Sequence, residues 1–170
     1  LLPLPGRLVE SRWNGRYPHA LYEGNQPFPI DHPLGAAMCV RREVIEQVGL
    51  LDENYHMYVE EVDWSKRIVS AGWRAYCVPQ TVITHLGGQS TGQIKTDMFI
   101  TLWTSRYRFY QKHYSKLKVW PARQIVTLGM RRRVKQDMAA AGRGVLTQAV
   151  LAERLACYQT VVNIWQGETI

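Results

Sequence analysis

The sequence predicts an α/β fold over residues 1–92 and an all-helical C-terminal extension over residues 93–170. Two observations lead to this division. Between residues 35 and 85, short apolar runs alternate with segments of helical periodicity, as expected of a sheet with flanking helices. After Gly92, apolar residues recur only at helical spacing.

The start of the chain is predicted to be irregular, because residues 1–33 contain six prolines and three glycines. The apolar run 35–40 then predicts a buried strand. Residues 42–48 predict a short helix that ends at Gly49, with its apolar residues on one face.

The following segment, residues 52–63, is rich in carboxylates: Asp52, Glu53, Glu60, Glu61 and Asp63. From Glu60 the pattern predicts a helix that ends near Gly72. Carboxylates are also favoured at a helix N-terminus by its unpaired amides and its dipole. Charge alone therefore does not separate a structural role from a functional one.

Two more strands are predicted over residues 74–78 and 81–85, followed by a glycine-rich loop over residues 86–92. Cys39 and Cys77 lie in strand-like runs, which predicts that both are buried as small apolar side chains.

Three helices are predicted in the extension. The first covers about residues 94–114, and the second has Pro121 in its first turn. An apolar stripe of the second helix is formed by Val126, Met130, Val134 and Met138. The stripe of the third is formed by Leu151, Leu155, Tyr158, Val162 and Trp165.

Composition indicates a globular chain, with 46% hydrophobic and 21% charged residues. No segment has the pattern of a signal peptide or of a membrane span. The three cysteines lie far apart, which argues against a disulfide framework or a zinc site and for a reducing compartment. We therefore expect a cytoplasmic location.

Positive charge is concentrated in the extension. Residues 106–170 contain 12 Lys and Arg against 3 Asp and Glu, whereas residues 1–105 contain 9 against 11. Nucleic acid is not the expected partner, because the basic stretch 131–135 lacks interleaved aromatic residues. The second helix is expected either to lie on an anionic membrane surface, peripherally at the inner membrane face, or to pack on the body of the protein or on a second copy in a homodimer.

The order of motifs resembles the C-terminal half of family 2 glycosyltransferases, in particular the rhamnosyltransferase-like branch that acts on cell-surface glycans. The resemblance covers roughly residues 28–115. It rests on Gly35-Ala36-Ala37-Met38, Val40-Arg41-Arg42, Val48-Gly49-Leu50-Leu51-Asp52-Glu53, Tyr58-Val59-Glu60-Glu61-Val62-Asp63-Trp64, Arg67, Ala71-Gly72-Trp73, Pro79, His85-Leu86-Gly87-Gly88-Gln89-Ser90, Arg106 and Lys112-His113-Tyr114.

The resemblance implies a partial GT-A fold, a Rossmann-like mixed sheet of which residues 1–92 would be the acceptor-side half. It further implies inverting transfer of a sugar from a nucleotide-sugar donor to a glycan or lipid-linked acceptor. The nucleotide-binding half is not recognisable in residues 1–34, so we expect the chain to be an inactive fragment of a longer enzyme. The alternative is a non-catalytic interaction module with the same fold, docking through its basic helices.

The resemblance also implies a catalytic base at Glu61, where the family has Asp, with Glu60 beside it and Asp63 as a second choice. His85 matches a residue that helps to hold Mg²⁺ or Mn²⁺ in part of the family, together with ligands from the missing half. A structural role for His85 remains open.

Substrate contacts are expected at Gly35, Ala36, Asp52 and Trp64, each with an open alternative. The small residues 35 and 36 either admit substrate close to the backbone or pack a tight strand. Asp52 either lies near the acceptor or caps a turn. Trp64 either stacks on a sugar ring or belongs to the core. Arg67 is expected to pair with a helix carboxylate.

Overall fold

A computed structural model describes residues 17–86 and 95–168 of the chain. The chain divides into two compact units. The first comprises the residues up to Asp52 together with Glu61–Leu86, and the second comprises Glu53–Glu60 together with the residues from Gly87 onward. The predicted boundary between residues 92 and 93 lies outside the described residues.

The first unit contains short elements. In chain order they are α1 (His19–Tyr22), β1 (Phe28–Ile30), α2 (Arg42–Val48), α3 (Glu60–Ser70, whose first residue belongs to the second unit) and β2 (Ala75–Cys77). The two strands pair antiparallel, with Phe28 opposite Cys77 and Ile30 opposite Ala75. The helices predicted from residues 42 and 60 are confirmed, as is the strand predicted around residue 76.

The strand predicted over residues 35–40 is wrong, because this segment begins with a turn in which the Ala37 amide donates to the Leu34 carbonyl at 3.2 Å. Its Gly-Ala-Ala side chains have little apolar area to bury in a sheet, and Cys39 is exposed. Residues 81–85 are also not a strand, since no described segment pairs with them and Val82 is 88% exposed. Cys77 is only partly buried.

The core of the first unit joins α2 to α3. Val44 of α2 is buried against Trp64 and Ile68 of α3. Helix α2 ends at Gly49, whose φ of 82° lies in the left-handed region that favours glycine. The indole nitrogen of Trp64 donates to the Gly49 carbonyl at 2.8 Å, so the end of α2 is fixed to α3.

The second unit is built on three helices: α4 (Lys95–His113), α5 (Lys116–Gly142) and α6 (Gln148–Gln166). The first and third predicted helices are confirmed. Pro121 is not in the first turn of α5 but inside the helix, where it lacks the N–H that would pair with the carbonyl of residue 117. Within the described ranges, no helix is long and apolar enough to cross a lipid bilayer.

An aromatic and aliphatic core holds these helices together. Its most deeply buried side chains are Met130 of α5 and Val161 and Trp165 of α6. The Trp165 indole nitrogen donates to the Trp103 carbonyl of α4 at 3.0 Å. Cys157 is buried in α6. The pKa of its thiol is raised mainly by this burial and to a smaller extent by the negative charges of Glu153 and Asp97. Cys157 is therefore expected to be unreactive.

A polar contact also joins α5 to α6. Asp137 of α5 accepts a hydrogen bond from the Tyr158 hydroxyl at 2.9 Å and pairs with Arg154 at 3.3 Å. Burial, and then the hydrogen bond to Asp137, raises the pKa of Tyr158 above its ordinary value of 10.0.

We predict that Tyr158→Phe lowers the free energy of unfolding by about 1.5–3 kcal/mol, because a hydrogen bond to a charged group is lost. Urea denaturation monitored by circular dichroism measures the change. Tyr76→Phe, at a half-exposed tyrosine, is the matched control and should have no effect.

Because its pKa is raised, Tyr158 also contributes to the free energy of unfolding in a way that depends on pH. This stabilisation is fully present below pH 10.0, the ordinary pKa, and is lost as the pH rises through the higher folded-state pKa. The stability difference between wild type and Tyr158→Phe should therefore shrink above that pH. A difference that grows with alkaline pH would contradict this account.

Candidate active site

The side chain of Arg67 connects α3 to the end of α2. Its Nε donates to Asp63 Oδ2 at 2.9 Å, and its two terminal nitrogens donate to the carbonyls of Val48 at 2.8 Å and Leu50 at 2.7 Å. Asp63 is fully buried. The predicted pairing of Arg67 with a helix carboxylate is thus confirmed, and Asp63 serves to hold α3.

The second unit contributes the loop that leads into α3, residues 53–59, here called the anchored loop. It is fixed to α4 by a hydrogen bond of 2.8 Å from Ser105 Oγ to the Met57 carbonyl and by another from Arg108 to the Asn54 carbonyl. Tyr55 is buried, with the Lys112 ammonium 5.8 Å from its ring centre. Three contacts with one helix therefore set the path of this loop.

The anchored loop ends in a strained backbone. Tyr58 and Val59 have φ values of 67° and 71°, which lie in the left-handed region. A β-branched residue such as valine rarely adopts this conformation, and each strained residue costs about 1–3 kcal/mol. The strained pair directly precedes Glu60, the first residue of α3.

A pocket of about 180 Å³ lies between the anchored loop and α4. It is lined by Asn54 and His56 of the loop and by Ile100, Thr101, Thr104, Ser105 and Arg108 of α4. His56 and Arg108 are exposed polar groups at this pocket. Sequence analysis missed it, although polar residues at positions 101, 104, 105 and 108 lie on one face of a helix and could have indicated it.

The three carboxylates of α3 have different surroundings. Asp63 is paired with Arg67. Glu60 has one oxygen, Oε2, that is buried without a hydrogen-bond partner among the described residues. Glu61 is half-buried and makes no ion pair or side-chain hydrogen bond with another described residue. Glu61 thus differs from Asp63 in that its carboxylate is not held by a described cation.

Glu61 lies directly against the turn that contains Gly35. A Cβ atom placed on Gly35 would be 3.4 Å from the Cβ, 3.5 Å from the Cγ and 3.7 Å from the Cδ of Glu61. The absence of a side chain at position 35 lets the backbone of this turn lie close to the Glu61 side chain. Two of the predicted site residues, 26 positions apart in sequence, are thus brought together.

The remaining predicted site residues are placed as follows. Ala36 is exposed in the same turn as Gly35, and Asp52 is partly buried after α2. Trp64 is buried in the core of the first unit, with its indole nitrogen bonded to Gly49, so its ring offers no open face for a sugar. His85 is exposed.

A divalent cation needs several oxygen or nitrogen ligands. In the part of the chain that the structure describes, no three His, Cys, Asp or Glu side chains form such a group. His85 and its described neighbours therefore do not fit a complete Mg²⁺ or Mn²⁺ site. The predicted glycine-rich loop that follows His85 lies outside the described residues from Gly87 onward.

Comparison with known proteins gives two kinds of match. A family model described as "Domain of unknown function (DUF8703)" matches residues 48–139. The chain is also 34% identical over 87 residues to the N-acetylglucosaminyl-diphospho-decaprenol L-rhamnosyltransferase of Mycobacterium tuberculosis, in strains CDC 1551 / Oshkosh and ATCC 25618 / H37Rv alike. It is 41% identical over 39 residues to the low-salt glycan biosynthesis hexosyltransferase Agl10 of Haloferax volcanii.

These matches are partial. The first covers 51% of this chain and 28% of the rhamnosyltransferase, and the second covers 23% of this chain and 13% of the hexosyltransferase. No solved structure matches the chain. The chain is thus a distant partial homologue of proteins named as glycosyltransferases.

We predict that Arg67→Met destabilises the protein by about 3–5 kcal/mol, because it leaves the buried carboxylate of Asp63 without its cation. The matched control is Arg42→Met, which breaks an exposed ion pair with Glu46 and should cost less than about 1 kcal/mol. Chemical denaturation of both variants measures the difference. Equal losses would show that Arg67 does not hold α3.

We predict that Val59→Gly raises the free energy of unfolding by about 1 kcal/mol, since glycine relieves the strain of a positive φ at a smaller entropic cost. The control Val69→Gly, at a half-exposed site within α3, should lower it by about 0.5 kcal/mol. Thermal unfolding of both variants provides the test. A loss of stability in Val59→Gly as large as in the control would argue against strain at position 59.

Proposed function

The chain belongs to the family described as Domain of unknown function (DUF8703), and we propose that it carries the acceptor-activating part of an inverting glycosyltransferase. The observation that supports this most strongly is the half-buried Glu61 carboxylate, which lies beside the backbone of Gly35 and makes no ion pair or side-chain hydrogen bond with the described residues. The partial homology to a rhamnosyltransferase and a hexosyltransferase supports the same class of reaction.

Glu61 is the proposed general base. The sugar acceptor places a hydroxyl within hydrogen-bond distance of the Glu61 carboxylate. As the hydroxyl oxygen attacks the anomeric carbon of the donor sugar, its proton passes to Glu61. The bond between the anomeric carbon and the nucleotide diphosphate breaks, and the diphosphate leaves with the bonding electrons. Base catalysis of this kind contributes about 10²–10⁴-fold to the rate.

The turn at Gly35 and Ala36 is the proposed surface along which the acceptor approaches Glu61. Both positions are exposed, and their small side chains leave room for a sugar beside the carboxylate. Asp52 remains a proposed acceptor contact. Asp63 is assigned a structural role because its carboxylate is buried on Arg67, and Trp64 is assigned to the core.

Glu60 is proposed to tune the site and not to bind substrate. Its Oε2 atom is buried without a hydrogen-bond partner among the described residues. A buried polar atom without a partner costs about 1–3 kcal/mol. A buried group of this kind calls for an explanation, and a catalytic role is the one proposed here.

The substrates are proposed from the relatives' names. The sugar is L-rhamnose or another hexose from a nucleotide-activated donor, and the acceptor is a sugar linked through a diphosphate to a polyprenol. A GT-A arrangement with a nucleotide-binding half is part of this proposal. Because the described residues do not complete a cation site, no step is assigned to Mg²⁺ or Mn²⁺, and His85 is proposed as at most one ligand.

We predict that Glu61→Gln lowers kcat by about 10²–10⁴-fold, because the amide cannot take the proton, while KM for the acceptor changes little. The assay follows transfer of radiolabelled L-rhamnose from a nucleotide donor to a diphospho-polyprenol-linked N-acetylglucosamine. It uses the longest natural protein that contains these 170 residues.

Two further variants serve as controls. Glu61→Asp keeps a carboxylate and should retain more activity than Glu61→Gln, and Glu46→Gln, at an exposed glutamate of α2, should leave activity unchanged. Full activity of Glu61→Gln would exclude Glu61 as the base. Absence of transfer by the folded wild-type protein with every nucleotide sugar tested would favour a non-catalytic interaction module that docks through its helices.

A further inference from the structure

Helix α5 is apolar on two opposite faces. One face carries Val119, Val126 and Met130, which are buried in the core of the second unit. The other, here called the outer face, carries large apolar side chains that are exposed: Leu117 (87%), Trp120 (64%), Ile125 (71%) and Leu128 (69%). Of the stripe predicted to meet a membrane, Val126, Met130 and Val134 lie in or against the core, whereas Met138 is exposed. The residues of the outer face are a different set.

These exposed residues form a continuous patch. Positions 117, 120, 121, 125 and 128 follow the three- and four-residue spacing of one helical face. At 1.5 Å per residue the patch is about 17 Å long. A contiguous exposed apolar patch of this kind marks an interaction surface.

The charges around the patch have one sign. Lys116 and Lys118 flank its first residue, Leu117, and the exposed residues Arg131, Arg132 and Lys135 follow it. The helix has a single carboxylate, Asp137, which is directed to Arg154 and Tyr158 of α6. The outer face therefore combines apolar side chains with cations and carries no carboxylate.

We propose that the outer face of α5 docks on the surface of an anionic phospholipid bilayer. The apolar side chains would lie at the boundary between head groups and acyl chains, where tryptophan is favoured. The lysines and arginines would lie among the acidic head groups, each strengthening binding by about fivefold. This inference is independent of the transfer reaction proposed above.

Two other occupants fit less well. In a symmetric dimer formed through this face, the cations of one copy would face an equally carboxylate-free surface of the other. Like charges brought together in this way oppose association. Nucleic acid would match the arginines but not Leu117, Ile125 and Leu128, because bases stack on aromatic rings and not on aliphatic side chains.

The test is sedimentation of the 170-residue chain with vesicles of phosphatidylcholine alone or mixed equally with phosphatidylglycerol. We expect binding to the mixed vesicles that weakens with added salt, and little binding to phosphatidylcholine alone. Arg131→Gln with Lys135→Gln should weaken binding about 25-fold, from about fivefold for each charge. Trp120→Ser with Leu128→Ser should remove most of the remaining affinity.

Matched controls lie outside α5. Val82→Ser and Arg74→Gln change an exposed valine and an exposed arginine of the first unit and should leave vesicle binding unchanged. Circular dichroism checks that every variant folds. Quenching of Trp120 fluorescence by brominated lipid, assigned with Trp120→Phe, reports whether this face enters the bilayer.

Three results would overturn the proposal. The first is equal binding to both kinds of vesicle. The second is a loss of vesicle binding in the control variants as large as in the outer-face variants, and the third is absence of binding at low salt. A different outcome is that the outer-face variants convert a dimer to a monomer in analytical ultracentrifugation without changing vesicle binding. In that case the outer face is a dimer interface and not a membrane-binding surface.

Discussion

The contact between Arg67 and the buried carboxylate of Asp63 is the constraint on which the first unit depends. A buried carboxylate is tolerated only with a close cation and further hydrogen bonds, and Arg67 also donates to the carbonyls of Val48 and Leu50. These contacts fix the rotation of α3 about its own axis. Because positions 61 and 63 are about 200° apart around a helix, an inward Asp63 directs Glu61 elsewhere, toward the turn at Gly35.

The anchored loop, which precedes α3 in the sequence, is held within the second unit by contacts of a different kind. Hydrogen bonds from α4 and the burial of Tyr55 hold the anchored loop, and the strain at Tyr58 and Val59 is the cost of that path. Tyr58 and Val59 thus hold a strained conformation at the end of the anchored loop, directly before α3 in the sequence.

The sequence was informative where structure depends on local periodicity and uninformative where it depends on distant partners. The helices from residues 42, 60, 95 and 148 follow from apolar spacing and from Gly49. The predictions of strands over residues 35–40 and 81–85 were wrong. A strand needs a neighbouring strand to pair with, and composition alone does not show whether one is present. Glu61 and Gly35 were both predicted, but their contact, the strain at Val59 and the pocket beside His56 depend on how the backbone folds. The periodicity of α5 likewise identified its core stripe and not its exposed outer face.

The most direct test of this account is a disulfide between positions 35 and 61. A Cβ at position 35 would be 3.4 Å from the Cβ of residue 61, and disulfides join Cβ atoms about 3.5–4.5 Å apart. Gly35→Cys with Glu61→Cys, in a chain that also carries Cys39→Ser and Cys77→Ser, should cross-link under mild oxidation, as detected by mass spectrometry of tryptic peptides. The single variants provide the background. Free thiols at both positions in the folded, oxidised protein would contradict the placement of Glu61 beside the Gly35 turn, and with it the proposed site.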